Sequence, residues 1–206
     1  MTALERKHNS EKLLLSLGIT LEDDLPPIEE EDMVTLRSPK EVAERILILS
    51  YLSCIATDPS LGQPAMVFLI HEGLWVKATD QEKAFFHKTH FTEDDLNILF
   101  SRTESIWMLL WVINQVDQLG LPDVEASFQE IFSHLPGFLE PTGEFIEAAT
   151  MRSISEILDQ SDFIFRFNWA LREADARGAK TITFSEHIAY ERFFSLAWVT
   201  RTRETW

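Results

Sequence analysis

The stretch Arg152-Ser-Ile-Ser-Glu156-Ile-Leu-Asp159-Gln-Ser-Asp162-Phe-Ile-Phe-Arg166-Phe-Asn168-Trp169-Ala170 decides the fold. At 3.6 residues per turn, Arg152, Glu156, Asp159, Phe163 and Arg166 share one stripe, flanked by Ile, Phe and Trp. Ionised groups placed in this way are expected to be at least partly buried. Buried charges persist only when they are paired and hydrogen-bonded. A second segment, Ile188-Ala-Tyr-Glu191-Arg192-Phe-Phe-Ser-Leu-Ala-Trp198, repeats the theme. The two segments point to a helical architecture and a candidate polar centre. They do not specify a reaction.

Helix-start signals recur outward from this stretch. Ser38-Pro39-Lys40-Glu41 offers a hydroxyl cap, proline at the first helical position and a glutamate to close the capping box. Thr79-x-x-Glu82, Ser101-x-x-Glu104, Ser127-x-x-Glu130 and Ser153-x-x-Glu156 repeat the pattern, and Thr92-x-x-Asp95 is a weaker version. Stop signals match them: Gly18, Asp58-Pro59 after a 39–57 helix, Gly120 with Pro122 after a 104–118 helix, and Gly178 after a 153–177 segment. The 104–118 helix is apolar on nearly every side, as the buried centre of a domain would be. Residues 19–36 read as an acidic, proline-containing connecting segment. Met66 to Ile70 suits a short helix or strand, and Thr181 to Phe184 suits a short strand.

Composition narrows the classes. The chain has 206 residues, 45% of them hydrophobic and 11% aromatic, enough for a substantial core. With 18 basic and 34 acidic side chains, the net charge is −16. Such a charge repels phosphate backbones and anionic lipid, which disfavours nucleic-acid and membrane partners and favours a basic protein partner. Cys54 is the only cysteine, so no internal disulfide can form, and a buried thiol suits a reducing cytosol. Leu13-Leu14-Leu15 is too short for a signal-peptide core. The densest apolar run, Ile106 to Ile113, falls far below the roughly 20 residues that span a bilayer. The expected location is cytoplasmic.

Taken together, the motifs resemble a mainly bacterial family, domain of unknown function 4272, from about Arg6 to Trp206. The resembling pieces are Gly18-Ile19 with Leu25-Pro26, Leu36-Arg37-Ser38 with Glu41 and Ala43-Glu44-Arg45, Thr79 with Glu82, Arg102 with Glu104, and Leu110-Trp111. The strongest are Arg152, Glu156-Ile157-Leu158-Asp159, Asp162, Arg166 and Trp169-Ala170, then Glu191-Arg192 and Leu196 with Trp198. Ser101 stands where the family often has tryptophan, and Ala197 where it often has asparagine. The resemblance implies an α-helical domain and no established activity.

The candidate polar centre is Arg37, Arg102, Glu104, Arg152, Glu156, Asp159, Asp162, Arg166, Trp169, Glu191 and Arg192. Its functional reading is that Glu156 and Asp159 hold a divalent cation while Arg152 and Arg166 bind a phosphate or carboxylate. Its structural reading rests on the i,i+4 spacing of Glu41–Arg45, Arg152–Glu156, Asp162–Arg166 and Glu173–Arg177, the spacing of ordinary helix ion pairs. The structural reading is preferred, because ion-pair networks bury charge without catalysis. Glu41-x-x-Glu44 and Glu156-x-x-Asp159 are similar to the magnesium-binding carboxylate pairs of all-α nucleotide pyrophosphatases, but they lie too far apart in the chain. His87-x-x-His90 with Glu93 to Asp95 reads as a solvated loop, and no motif supports a metal ligand set or any cofactor. Trp107, Trp111, Trp169 and Trp198 read as core, and Trp75 and Trp206 as more exposed.

The expected architecture is one compact all-α domain over residues 1–206, of about eight to ten helices, with room for a minor short strand pair. The expected role is binding, with a protein partner or a second copy of the chain. The alternative is a metal-dependent phosphohydrolase or nucleotide binder centred on Glu156, Asp159 and Arg166. The residues decide neither for nor against an enzyme.

Overall fold

In the computed structural model of the protein, residues 1–21, 24–179 and 183–206 are described. Among the described residues the chain forms nine α-helices and three short 3-10 turns, with no β-strand, so the protein is all-α. The backbone contacts gather these helices into two compact units, each drawn from separated stretches of chain.

Unit 1 comprises residues 1–37, 120–125 and 152–205. Its helices are α1 (Ala3–Ser16), α8 (Ile154–Ala176) and α9 (Glu186–Val199), with a 3-10 turn over Glu31–Met33. Helix α8 is the centre, packing against both α1 and α9. Unit 2 comprises residues 38–119 and 126–151 with Trp206. It holds α2 (Pro39–Thr57), α3 (Gly62–His71), α4 (Asp80–Phe86), α5 (Glu93–Val112), α6 (Phe128–Ser133) and α7 (Gly143–Ala148). The α2–α5 pair is its core, with α7, α3 and α4 against α2 and α6 against α5.

The caps explain where most helices begin. Ser38, Thr79, Thr92 and Ser153 each accept a hydrogen bond from the third helical N–H, and Glu41, Glu82, Asp95 and Glu156 in turn accept one from the cap backbone N–H. Thr2 and Glu5 form a further box at the start of α1. The ends are equally local. Gly18 (φ 78°) closes α1, with Gly18 N donating to Leu15 O and Ile19 N to Leu14 O. Gly178 (φ 72°) does the same for α8, where Ala179 N donates to Ala174 O at 2.8 Å.

Two readings of the sequence require correction, the helix start at Ser101 and the bounds of the 104–118 helix. Ser101-x-x-Glu104 is no helix start: both residues lie inside α5, which runs from Glu93 to Val112 rather than over 104–118. The Ser101 hydroxyl bonds back to Ile98 O at 2.7 Å. That helix ends at Asn114 (φ 60°), well before Gly120, because an asparagine tolerates the left-handed position where Gln115 N reaches Leu110 O at 2.9 Å. Of the two alternatives read for Met66 to Ile70, the helix is the one formed, inside α3. The acidic 19–36 segment does more than connect: Ile19 and Leu25 are buried in unit 1. Of the stretch read as a short strand, Thr181 and Ile182 lie outside the described residues.

Candidate functional site

The polar centre expected from the sequence divides between the units. Arg37, Arg152, Glu156, Asp159, Asp162, Arg166, Trp169, Glu191 and Arg192 belong to unit 1, and Arg102 and Glu104 to unit 2. In unit 1, Arg166 of α8 is wholly buried, as is Asp162 one turn before it. The guanidinium meets that carboxylate at two points, Nε to Oδ2 and Nη2 to Oδ1, both 2.9 Å. Two further N–H groups go to backbone: Nη1 to Leu25 O at 3.2 Å and Nη2 to Pro26 O at 2.8 Å. Glu11 of α1 lies 3.7 Å from Nη1. Arg166 therefore ties α8 to the otherwise irregular Leu25–Pro26 segment, and no part of it faces solvent.

Helix α1 supplies a second set that the sequence did not single out. Arg6, 1% exposed, donates from Nε to Asp159 Oδ1 at 2.7 Å and from Nη2 to Glu31 Oε1 at 3.0 Å. Lys7 pairs with Asp24 and approaches Glu11 at 3.6 Å. The bond to Asp24 raises the Lys7 pKa and lowers that of the carboxyl. A hydrogen bond from the Ser155 side chain, with the amino terminus and Arg6 nearby, holds Glu31 below its ordinary range. The one available signal was that Ala3, Arg6, Ser10 and Leu14, all buried, recur at helical spacing on a single face of α1.

The remaining unit 1 candidates have separate employment. Glu156 is exposed, closes the α8 capping box and lies 3.3 Å from Arg152, and hydrogen bonds from Ser153 depress its pKa. Arg37 sits at the end of α9, donating to Trp198 O at 2.9 Å, with its guanidinium 4.3 Å from the centre of the Trp198 ring. There a cation meets the negative end of the helix dipole. Arg192, 1% exposed, donates to Gly120 O at 2.9 Å, and Glu191 beside it is also buried. Trp169 departs from expectation: it is 38% exposed rather than core, and Trp75 and Trp206 are half-buried. Helical spacing says which residues share a face but not what covers that face.

In unit 2, Glu104 is buried and accepts from Ala126 N at 2.6 Å, while Arg102 is half-buried on the same helix. Arg45 finds a carboxylate far from its own helix turn. Its Nη1 reaches both oxygens of Glu82 at 2.9 Å, and its Nη2 reaches Lys77 O at 2.8 Å. Lys77 in turn pairs with buried Glu44. Cys54 is half-buried, and burial pushes its thiol pKa up to about 11.

Domain of unknown function (DUF4272) is the family whose model matches this chain, over residues 6–206. The chain belongs to that family. No curated protein and no solved structure matches it. The DUF4272 match begins at Arg6 and so includes every residue of the buried network in unit 1.

Beside that network the DUF4272 chain carries a groove with a volume of about 270 Å³. Pro26, Pro27 and Ile28 form one wall, Leu158 and Phe165 of α8 a second, and Phe193 and Leu196 of α9 the third. The Phe165 and Phe193 rings lie 6.2 Å apart. Ser161, Thr200 and Thr202 add hydroxyls, and Glu29 is the only ionisable side chain among the described lining residues. Arg166 holds the Pro26 carbonyl, so the buried charge fixes the backbone of one groove wall. Among the described residues no three His, Cys, Asp or Glu side chains are grouped as a metal ion would require. No helix among them is long and apolar enough to cross a membrane.

Proposed function

We propose that this is a cytoplasmic, bacterial binding protein whose buried charges are scaffold rather than reaction centre. The carrying observation is the state of Arg166. Its guanidinium is fully enclosed, with Nε, Nη1 and Nη2 all engaged by Asp162 and by the carbonyls of Leu25 and Pro26. Four of its five N–H groups are used in this way and the whole side chain is closed to solvent, so it is not placed to receive a phosphate or carboxylate ligand. Glu156 and Asp159, the partners it would need in a hydrolase, serve a helix cap and Arg6 respectively. The lone, half-buried Cys54 fits a reducing compartment.

Thermal unfolding with magnesium or manganese chloride tests this reading. A cation held by Glu156 and Asp159 would bind only the folded chain and raise its melting temperature. The expected result is no saturable shift. A saturable rise that disappears in Glu156→Gln with Asp159→Asn would overturn the scaffold reading in favour of the metal-dependent alternative.

A further inference from the structure

The groove in unit 1 is apolar on three walls and acidic at one edge, where Glu29 is exposed. Exposed Glu30 and Asp32 follow closely, within a chain of net charge −16, while Glu31 between them is paired with Arg6. The arginines nearest in sequence are already committed. Arg203 stacks on Phe194 at 4.4 Å and donates to Thr205 O, and Arg201 lies 3.9 Å from Glu204. With Glu29 the one ionisable side chain among the described lining residues, the groove edge complements a positive charge.

The apolar character continues beyond the groove. One turn past Phe165 on α8 stands Trp169, 38% exposed, and one turn before Phe193 on α9 stands Tyr190, 44% exposed. Exposed tryptophan and tyrosine beside an apolar cleft is the composition of a binding hot spot. The volume of about 270 Å³ lies just below the roughly 300–1,000 Å³ that encloses a drug-sized ligand. It suits one or two inserted side chains, with the flanking aromatics covering the rest of a peptide.

We propose that this groove docks a basic segment of a partner protein, which inserts an aromatic or branched apolar side chain beside Phe165 and Phe193 and sets a lysine or arginine against Glu29. The assignment rests on the binding reading above and supplies the chemistry of the partner.

The test titrates short synthetic peptides into the full chain and follows its backbone amides by NMR. Each peptide carries a tryptophan anchor flanked by lysines, by glutamates or by glycines, with an alanine-for-tryptophan control. The lysine-flanked peptide is expected to bind saturably and to perturb Ser161, Phe165, Ala197 and Thr200. Ala197→Arg, at a half-exposed lining position, should abolish the response while leaving the circular dichroism spectrum unchanged. Glu29→Lys, on the surface, should weaken it about five- to tenfold. Glutamate flanks and the alanine control should not bind.

Equal binding of all flanks, or perturbation elsewhere that Ala197→Arg leaves intact, would overturn the groove assignment while sparing the binding reading. So would self-association lost in Ala197→Arg, which would make a second copy the occupant. Absence of binding by every peptide would also overturn the docking proposal. The metal titration alone bears on the scaffold reading.

Discussion

Arg166 and Asp162 sit one helical turn apart on α8 and meet at two points of 2.9 Å each, with neither side chain exposed to solvent. An i,i+4 pair on a helix surface contributes a few tenths of a kcal/mol, but this pair lies on the buried side and its cation also serves two carbonyls. Removing both charges for well-packed apolar groups can be neutral in such a setting. Removing one leaves the other stranded.

Arg166→Ala is therefore expected to cost about 3–5 kcal/mol in chemical denaturation. Arg166→Met with Asp162→Leu should recover part of that loss. Recovery stays incomplete because the carbonyls of Leu25 and Pro26 lose their donors. A cost for Arg166→Ala of about 1 kcal/mol or less, the range of surface pairs, would show that the pair is not buried in solution.

Glu156 should behave as a capping residue. Ser153→Ala is expected to lower stability by about 1 kcal/mol. Glu156→Gln should change it little, since glutamine also completes a capping box. Urea melts of the two variants check the order. A larger loss for Glu156→Gln than for Ser153→Ala would mean that its charge has a use beyond the cap.

Glu82 has two roles in unit 2, accepting from the Thr79 backbone N–H at 2.7 Å and from Arg45. Glu82→Ala removes the reciprocal bond of the capping box and leaves Arg45 buried without that carboxylate, so a loss of about 3–5 kcal/mol is expected. Glu82→Gln keeps a cap acceptor and should fall between that variant and wild type. Equal losses in the two variants would count against the double role.

The acid limb of stability gives a prediction with a definite sign. The Thr142 hydroxyl and N–H donate to Glu72 Oε2 at 2.7 and 3.0 Å, and these bonds lower its pKa from 4.5. Their contribution is fully present above the unfolded value of 4.5. It is lost as pH falls through the lower folded value. Thr142→Val should thus cost about 1.5 kcal/mol at neutral pH. The gap to wild type should narrow as the solution is acidified below the unfolded value. Thermal melts across pH check it, and a gap that widens toward acid would reverse the sign.

Much of the fold was legible because its signals are local. Ser38 with Glu41 and Ser153 with Glu156 lie within one turn of each other, so spacing alone revealed those helix starts. The Asp162–Arg166 pair was visible for the same reason. Arg6 was not, because its partners Glu31 and Asp159 lie 25 and 153 residues away. The carbonyls of Leu25 and Pro26 were invisible too, since every residue carries a carbonyl and none advertises its acceptor role. Arg45 shows the limit of spacing arguments: it reaches the carboxylate of Glu82, 37 residues away, which no helical spacing reveals.

The distance in sequence between Arg6 and Asp159 also orders events on the ribosome. Helix α1 leaves the exit tunnel long before α8 has been made. At about 5–20 residues per second, the interval is roughly 8–30 s. The segments of unit 2 from Ser38 to Met151 are synthesised within that interval and can condense first. Throughout it α1 carries Arg6 and Lys7 on the face that will later be enclosed, so water can hold that face while it waits. A leucine-only face would instead be an adhesive nascent surface. The buried cations of α1 thus keep the first-made helix of unit 1 hydrated until its last-made partners arrive.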